Sequence, residues 1–308
     1  SKESIPPAGL FQKSGWHFYQ TTRRVNMKKE RNSKLGYAKN GWLYKEKTAG
    51  YIFSAPFIFG FLFFVIVPVA TSLYYAFCNY NILKPARWVG LKNFIDIFQD
   101  PTFYKALGVT LKFAFISVPL KLVFALIVAL ILPSILGSSV AVAILWKRMF
   151  AVDGLVNKLL GIQFAWLGST TAALWVIILL AVWQFGSSML IFLSAMKQIP
   201  PELYEAARVD GAGGIYSFFR ITLPLLTPTI FFNLVMQLIN GFMVFAQGQI
   251  ITDGKPMNST LFYVLYMYQQ SFEYSKVGYA AAMGWILLVL VALFTGLLFK
   301  TKKYWVYE

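Results

Sequence analysis

Cysteine, histidine and acidic residues are scarce in this chain of 308 residues. Its one cysteine, Cys78, excludes a disulfide framework within the chain and a cysteine-ligated metal cluster. Its one histidine, His17, lies in a polar N-terminal stretch, which argues against a histidine-based catalytic triad or zinc site. Charged residues of both signs make up only 13% of the sequence, whereas a soluble domain has about 25%. The composition therefore argues against a soluble domain.

Hydrophobic residues, by contrast, make up 58% of the chain and occur in long runs. A membrane-spanning helix needs about 20 mostly apolar residues, and most of these runs reach that length. The sequence therefore predicts an all-α, polytopic helical membrane protein with six transmembrane helices. The predicted helices cover about residues 51–77, 106–132, 135–150, 171–196, 227–246 and 279–299.

Basic residues are concentrated near the two ends of the chain. Residues 1–50 contain eleven Lys or Arg and three Glu, which is about half of the net charge of +16. Basic flanks favour the cytoplasmic side and anionic headgroups attract them, and six spans place both ends on one side. The sequence predicts a basic cytoplasmic tail at 1–50, a membrane domain at 51–303 and a short C-terminal tail at 304–308. A nucleic-acid-binding arm is the less favoured interpretation of residues 1–50, so no nucleic-acid partner is expected.

A polar island, residues 197–224, separates the fourth and fifth predicted helices. Pro201 can open a short helix, because the first helical residue has no hydrogen-bonded N–H to lose. Glu202 and Glu205 suit the first turns, where the positive end of the helix dipole lies. Gly211 is predicted to end the helix, and a second short helix is expected from Gly214 to Arg220. From these properties alone, an ordinary cytoplasmic hairpin loop is an equally good interpretation.

The same island resembles a known signature. The sequence Glu-Ala-Ala, a Gly four residues after the second Ala, and Ile-x-Leu-Pro ten residues further on are similar to the EAA loop of binding-protein-dependent ABC importer permeases. The surrounding residues are similar to the MalF-type sugar importers. The resemblance implies that this loop contains a coupling helix that docks into a separate ATPase. The residues to which it assigns this role are Glu205, Ala206, Ala207, Asp210, Gly211, Ile221, Leu223 and Pro224.

Several partners follow from the resemblance. It implies a second permease subunit, two ATPase subunits, an extracytoplasmic solute-binding protein and a bacterial inner-membrane location with both termini in the cytoplasm. The chain itself has no nucleotide motif, because Gly248–Lys255 has the wrong spacing for a phosphate loop. ATP and Mg²⁺ are therefore expected only in the partner ATPases, with no cofactor and no catalytic or metal site in this chain. The implied substrate is a carbohydrate, with acidic oligosaccharides such as alginate as one candidate.

Polar residues inside the predicted helices are candidates for the substrate pathway, because polar groups within a membrane face a cavity or a partner helix. Asn233, Gln237 and Asn240 share one face of the fifth helix, and Gln184 and Ser187 lie on the fourth. Amides and hydroxyls both donate and accept hydrogen bonds, which suits sugar hydroxyls. Packing within the bundle or against a neighbouring permease is the alternative role. Lys121 lies deep within the second helix, where a cation would favour an anionic substrate or pair with an acid of a partner.

Two further observations bear on this interpretation. The second and third predicted helices are joined only by Pro133-Ser134, which is too short for two spanning helices to turn outside the bilayer. We therefore expect that a segment found in family members is missing near Leu132-Pro133. A self-sufficient secondary transporter or channel is the competing function. It would account for six spans but not for the Glu-Ala-Ala loop, and the sequence shows no internal repeat between its halves.

Overall fold

The computed structural model describes residues 46–131 and 139–307. Long helices dominate it, in agreement with the predicted helical membrane fold, and a two-stranded hairpin is the β-structure in the described part. Three π-helical turns interrupt or extend the α-helices. The α-helices are α1 Glu46–Phe61, α2 Val67–Ala76, α3 Lys92–Gln99, α4 Pro101–Ile131, α5 Ser139–Met149, α6 Leu155–Leu160, α7 Ala172–Trp183, α8 Gly186–Met196, α9 Pro201–Val209, α10 Gly214–Ser217, α11 Leu223–Phe242, α12 Ala246–Ile251, α13 Tyr263–Tyr268 and α14 Val277–Lys302. The strands are β1 Cys78–Asn81 and β2 Lys84–Trp88, and the π-turns are π1 Leu62–Ile66, π2 Phe218–Thr222 and π3 Gln269–Glu273.

Five helical segments of the described chain are long and apolar enough to cross a membrane. They match the first, second, fourth, fifth and sixth predicted spans. The third prediction, 135–150, corresponds to α5, which has only 11 residues from Ser139 to Met149 and is too short to span a bilayer. Residues 135–138 of that prediction lie outside the described residues. The five segments are Phe53–Ala76, Pro101–Leu130, Ala172–Met196, Gly214–Phe242 and Val277–Lys302.

The chain divides into two compact units, residues 1–70 and 71–308. The described part of the first unit is helical, and its apolar side chains from Phe53 to Val69 are largely exposed rather than packed inside the chain. Exposed apolar side chains are stable in lipid or against another membrane subunit. This first helix therefore has the surface of a membrane span and little internal core.

The second unit has its core where α4 meets α7, α8 and α11. Phe113, Ile177 and Phe242 are almost fully buried in this core. Gly241 of α11 lies so close to α4 that an added Cβ would come within 3.2 Å of the Ala114 Cβ. Small residues at such crossings let membrane helices approach closely, which is a main source of their packing energy. The tight crossing at Gly241 and Ala114 holds α11 against α4.

Within the second unit, an amide side chain of α3 holds the start of the β1–β2 hairpin. The strands pair antiparallel, with Cys78 opposite Trp88. Asn93 of α3 donates hydrogen bonds from its Nδ2 to the carbonyl oxygens of Ala76 and Cys78, both at 2.9 Å. The hairpin and α3 thus give a defined structure to the segment between the first two spans.

The fifth span begins earlier than predicted. Helical structure is continuous from Gly214 to Phe242, through both Pro224 and Pro228, which the sequence placed at the entry of the span. Proline removes a hydrogen bond to the carbonyl four residues before it. The Thr227 hydroxyl donates to the Pro224 carbonyl oxygen at 2.7 Å and occupies the acceptor that Pro228 cannot use. At Pro228, a neighbouring hydroxyl therefore takes the place of the missing N–H.

Candidate functional site

The polar island 197–224 forms a small helical platform, which we call the docking loop. Pro201 is in the first turn of α9, as predicted, and Glu202 lies in the same turn. Asp210 caps the C-terminal end of α9, and Gly211 follows with φ +79. This left-handed conformation suits glycine, which has no Cβ to clash. The Ala212 N–H donates to the Ala207 carbonyl at 2.8 Å and closes the turn. The predicted end of the helix at Gly211 is therefore confirmed in its geometry.

The surface of the docking loop is unusually apolar for an exposed segment. No residue of α9 is buried. Val209 is 88% exposed, Ile215 79% and Phe219 60%. Contiguous exposed apolar side chains commonly mark a surface that a protein partner or a membrane covers. The docking loop therefore has the character of an interface.

A cavity of about 560 Å³ opens between the two arms of the docking loop. It brings together five of the eight residues to which the sequence assigned a coupling role. Glu205 does not line it and is exposed on α9, while Leu223 and Pro224 lie half-buried at the start of α11. The cavity has room for a side chain or a short segment of a partner. Its lining consists of Leu203, Ala206, Ala207, Asp210, Gly211, Ala212, Gly213, Tyr216 and Ile221.

One hydrogen bond joins the two arms of the docking loop. The Tyr204 hydroxyl of α9 and the Thr222 Oγ1 at the end of π2 lie 2.9 Å apart. Thr222 is buried, whereas Tyr204 is half-buried among exposed neighbours. Sequence reasoning did not identify this pair, because the two residues are 18 positions apart and no local pattern connects them.

The predicted pathway residue Gln237 lies in a buried polar network that joins three spans. Its Oε1 accepts a hydrogen bond from the Lys121 Nζ of α4 at 2.9 Å, and its Nε2 donates to the Ser188 Oγ of α8 at 3.0 Å. Gln237 and Ser188 are buried, and Lys121 is partly exposed. The Gln237 amide therefore links all three spans, because its oxygen accepts one hydrogen bond and its nitrogen donates another. This arrangement favours the packing role for Gln237, and its place along the pathway stays a prediction.

The other predicted pathway residues are distributed between buried and exposed positions. Asn233 is fully buried, donates to the Thr229 carbonyl at 3.2 Å and has no partner for its Oδ1 in the described part. Asn240 and Ser187 are exposed. Gln184 accepts a hydrogen bond from Gln247 at 3.4 Å. The stripe of polar residues on α11 is therefore buried at its middle and exposed near its C-terminal end.

A third polar region surrounds a cavity of about 600 Å³ beside the β1–β2 hairpin. Asp100 accepts hydrogen bonds from the hydroxyls of Tyr266 and Tyr279 and from the Thr102 N–H. Partial burial raises the pKa of the Asp100 carboxyl, but these hydrogen bonds outweigh burial and hold it below its ordinary value. Burial and the bond to Asp100 raise the pKa of the Tyr266 hydroxyl to about 12. The sequence had treated this region only as a polar loop.

No group of three or more histidine, cysteine, aspartate or glutamate side chains that could hold a metal occurs among the described residues. The regions with functional character are thus the docking loop, the network around Gln237 and the hairpin cavity. None of them has the nucleophile, base and orienting group of a hydrolytic site.

Residues 48–300 match the family model described as the binding-protein-dependent transport system inner membrane component. The chain belongs to this family. The match includes the docking loop and nearly all of the five described spans, so the predicted membership in the binding-protein-dependent permeases is confirmed. The protein is accordingly a multi-pass permease component of the bacterial inner membrane.

Relatives and a solved structure agree with this assignment. The chain is 48% identical to the probable ABC transporter permease protein YesP of Bacillus subtilis over 287 residues, covering 85% of this chain and 93% of the relative. It is 33% identical to the arabinooligosaccharides transport permease AraP of B. subtilis, covering 82% and 88%. A bacterial alginate ABC transporter, solved with an alginate pentasaccharide-bound periplasmic protein, has the same fold. Its TM-score is 0.73 at 24% identity, covering 84% of this chain and 95% of the solved chain.

The YesP comparison also reveals a shortfall in length. The aligned stretch has 287 positions, but 85% of this permease is only about 262 residues. About 25 positions of the relative therefore have no counterpart in this chain. This agrees with the expectation that a segment is missing, and the expected place, Leu132-Pro133, lies outside the described residues. A gap of that size corresponds to roughly one spanning helix, which fits the short α5.

Proposed function

We propose that this permease forms half of the translocation pathway of an ATP-driven carbohydrate importer and that the docking loop couples it to a separate ATPase. The observation that carries the proposal is the uncovered apolar surface and cavity of the docking loop. A monomeric protein gains stability by burying such side chains, yet Val209 and Ile215 are almost fully exposed. Burial against a partner on the aqueous side of the membrane gives these residues a function.

The partner proposed for this surface is an ATPase subunit with its own ATP and Mg²⁺. This chain lacks a phosphate loop, so the energy for transport must enter through contact with another chain. Closure of the ATPases would move the docking loop, and the loop would move the spans between inward- and outward-facing states. A second permease completes the pathway, and two ATPase subunits dock below the pair. With the sixth crossing that the sequence predicts, both termini lie on the cytoplasmic side with the docking loop.

The proposed substrate is an oligosaccharide delivered by a solute-binding protein. The names of the arabinooligosaccharide relative and the alginate transporter support a carbohydrate. Asn240 and Ser187 are the exposed polar residues best placed to meet sugar hydroxyls, because amide and hydroxyl groups both donate and accept hydrogen bonds. The Lys121 ammonium, within the network around Gln237, favours an acidic oligosaccharide such as alginate.

Co-purification and reconstitution test this proposal. A tagged permease expressed with its neighbouring genes should retain an ATPase subunit through affinity purification and take up oligosaccharide in liposomes only with ATP and the binding protein. The competing function, a secondary transporter or channel, predicts uptake by the permease alone. Uptake without the ATPase, or a purified permease without an ATPase partner, would contradict the importer mechanism.

A further inference from the structure

We infer that the Tyr204 hydroxyl is a positioning group that transmits movement between the docking loop and α11 through its hydrogen bond with Thr222. This inference rests on the proposed coupling function of the docking loop. The two oxygens lie 2.9 Å apart, a normal distance for an O–H···O hydrogen bond. Tyr204 is on the arm that would meet the ATPase, and Thr222 is on the arm that continues into the membrane. The bond therefore provides a direct side-chain link between the arm that would meet the partner and the arm that continues into α11.

The bond is isolated, which makes it the specific link between the two arms. Within the described chain, no other side chain of α9 forms a hydrogen bond with another element. The remaining connections of the turn are local backbone bonds, such as the N–H of Ala212 to the carbonyl of Ala207. Glu202, Glu205 and Arg208 are exposed and hold nothing in place inside the permease. Without the Tyr204–Thr222 bond, no hydrogen bond from an α9 side chain to another element would remain in the described part.

The position of Thr222 makes this link mechanically useful. Thr222 is the last residue of π2, and helical structure continues from it without a break to Phe242. Gln237 lies 15 residues further along, a distance of about 22 Å at 1.5 Å per residue. Its bonds to Lys121 and Ser188 join α11 to α4 and α8. A displacement of Thr222 would therefore act on a continuous helix that is hydrogen-bonded to two other spans at Gln237.

Two variants that remove the hydrogen bond and two control variants distinguish the effect of the bond from the effect of side-chain packing. Tyr204→Phe and Thr222→Val each remove the bond and keep the shape of the side chain. Tyr304→Phe is the control for loss of a tyrosine hydroxyl, because Tyr304 lies outside the docking loop, is 76% exposed and forms no side-chain hydrogen bond in the described part. Thr222→Ser keeps the hydroxyl and should restore the link. If one bond is responsible, the double variant Tyr204→Phe/Thr222→Val should be no worse than either single variant.

The measurement follows α11 directly and does not require a known substrate. In a Cys78→Ser background, a cysteine at exposed Asn240 reports the environment of the upper part of α11. Its labelling rate is measured in the reconstituted permease–ATPase complex with and without ATP and Mg²⁺. We expect Tyr204→Phe and Thr222→Val to reduce the ATP-dependent change in labelling about fivefold, the effect of losing one hydrogen bond. Tyr304→Phe and Thr222→Ser should show the same change as the parent.

The outcomes are distinguishable from failure of the proposed function. If the parent complex does not contain an ATPase at all, the coupling function itself is wrong. If the ATPase is present and Tyr204→Phe responds to ATP like the parent, the hydroxyl does not transmit movement. Loss of the ATPase from Tyr204→Phe but not from Tyr304→Phe would assign the hydroxyl to docking, and this would also overturn the inference. Retained ATPase, retained ATP hydrolysis and a reduced response of α11 would support it.

Discussion

The docking loop and the network around Gln237 both contain polar side chains, but these side chains are used in opposite ways. In the network, Gln237 uses both ends of its amide inside the permease, on Lys121 and on Ser188. In the docking loop, α9 has no buried residue and one side-chain bond to another element of the described chain. A polar group satisfied within the chain indicates an architectural role. An exposed surface with few internal partners indicates a role in binding.

The largest effects are expected where the docking loop depends on shape. Gly211 has φ +79, and proline is restricted to a φ near −65°, so Gly211→Pro should break the turn after α9. Ala207 lines the 560 Å³ cavity, so Ala207→Trp should fill it before a partner can. We expect each variant to insert into the membrane normally. Either its rate of ATP-dependent uptake or the amount of ATPase that co-purifies with it should fall at least tenfold.

Matched substitutions sharpen this test. Gly211→Asn is the control for the proline variant, because asparagine tolerates the left-handed conformation better than other residues with side chains. Ala207→Ser is the control for the tryptophan variant, because it adds a single oxygen. Both controls should retain most of the uptake. If Gly211→Pro and Ala207→Trp bind the ATPase and transport at the parent rate, the docking loop is not the coupling element.

A smaller effect, on stability as well as transport, is expected in the network. Gln237→Leu would leave the Lys121 ammonium and the Ser188 hydroxyl without the partner they have in the structure. Leaving such groups without a hydrogen bond costs about 2 kcal/mol. We expect a lower melting temperature of the purified complex and a several-fold loss of uptake. Lys121→Met/Gln237→Leu removes the orphaned charge and should recover part of the stability.

Asn240→Leu tests whether an exposed polar residue of the same helix serves transport rather than stability. Asn240 lies on the same helix but is exposed, so its replacement should leave the melting temperature nearly unchanged. A loss of uptake in Asn240→Leu with normal stability would place the pathway along the exposed end of the stripe. A stability loss as large as that of Gln237→Leu would show that Asn240 is also an architectural residue.

The residues show which parts of this description could be predicted from the sequence. Hydropathy located five spans, because a span needs only a long apolar run. Local chemistry located Pro201 at the start of α9 and Gly211 at its end, because capping rules act within a few residues. The sequence predicted the short helix from Gly214 but not that it would continue through Pro224 and Pro228 into the fifth span. The pairs Tyr204–Thr222 and Lys121–Gln237 join distant positions, and only tertiary packing brings them together.

The hairpin cavity is an intermediate case, since Asp100 is satisfied within the chain while other groups around it are open. Tyr266, Tyr279 and the Thr102 N–H all donate to its carboxylate. In the same cavity, the Asp96 carboxylate forms no hydrogen bond or ion pair with other described residues. By the argument used for the network, Asp100 should be structural, whereas Asp96 should matter little to stability.

The smallest effect we expect is a pH dependence that separates these two carboxylates. The pKa of Asp100 is lowered in the folded permease, so its contribution to stability is present above the pKa of the unfolded chain. That contribution is lost as the pH falls through the lower, folded pKa, because a protonated carboxyl accepts the tyrosine hydrogen bonds poorly. Asp100→Asn should therefore lower the melting temperature by a few degrees at pH 7 and by less near pH 3, whereas Asp96→Asn should change it little at either pH. Equal shifts for the two variants at pH 7, or a shift for Asp100→Asn that does not shrink in acid, would show that the lowered pKa of Asp100 does not stabilise the fold.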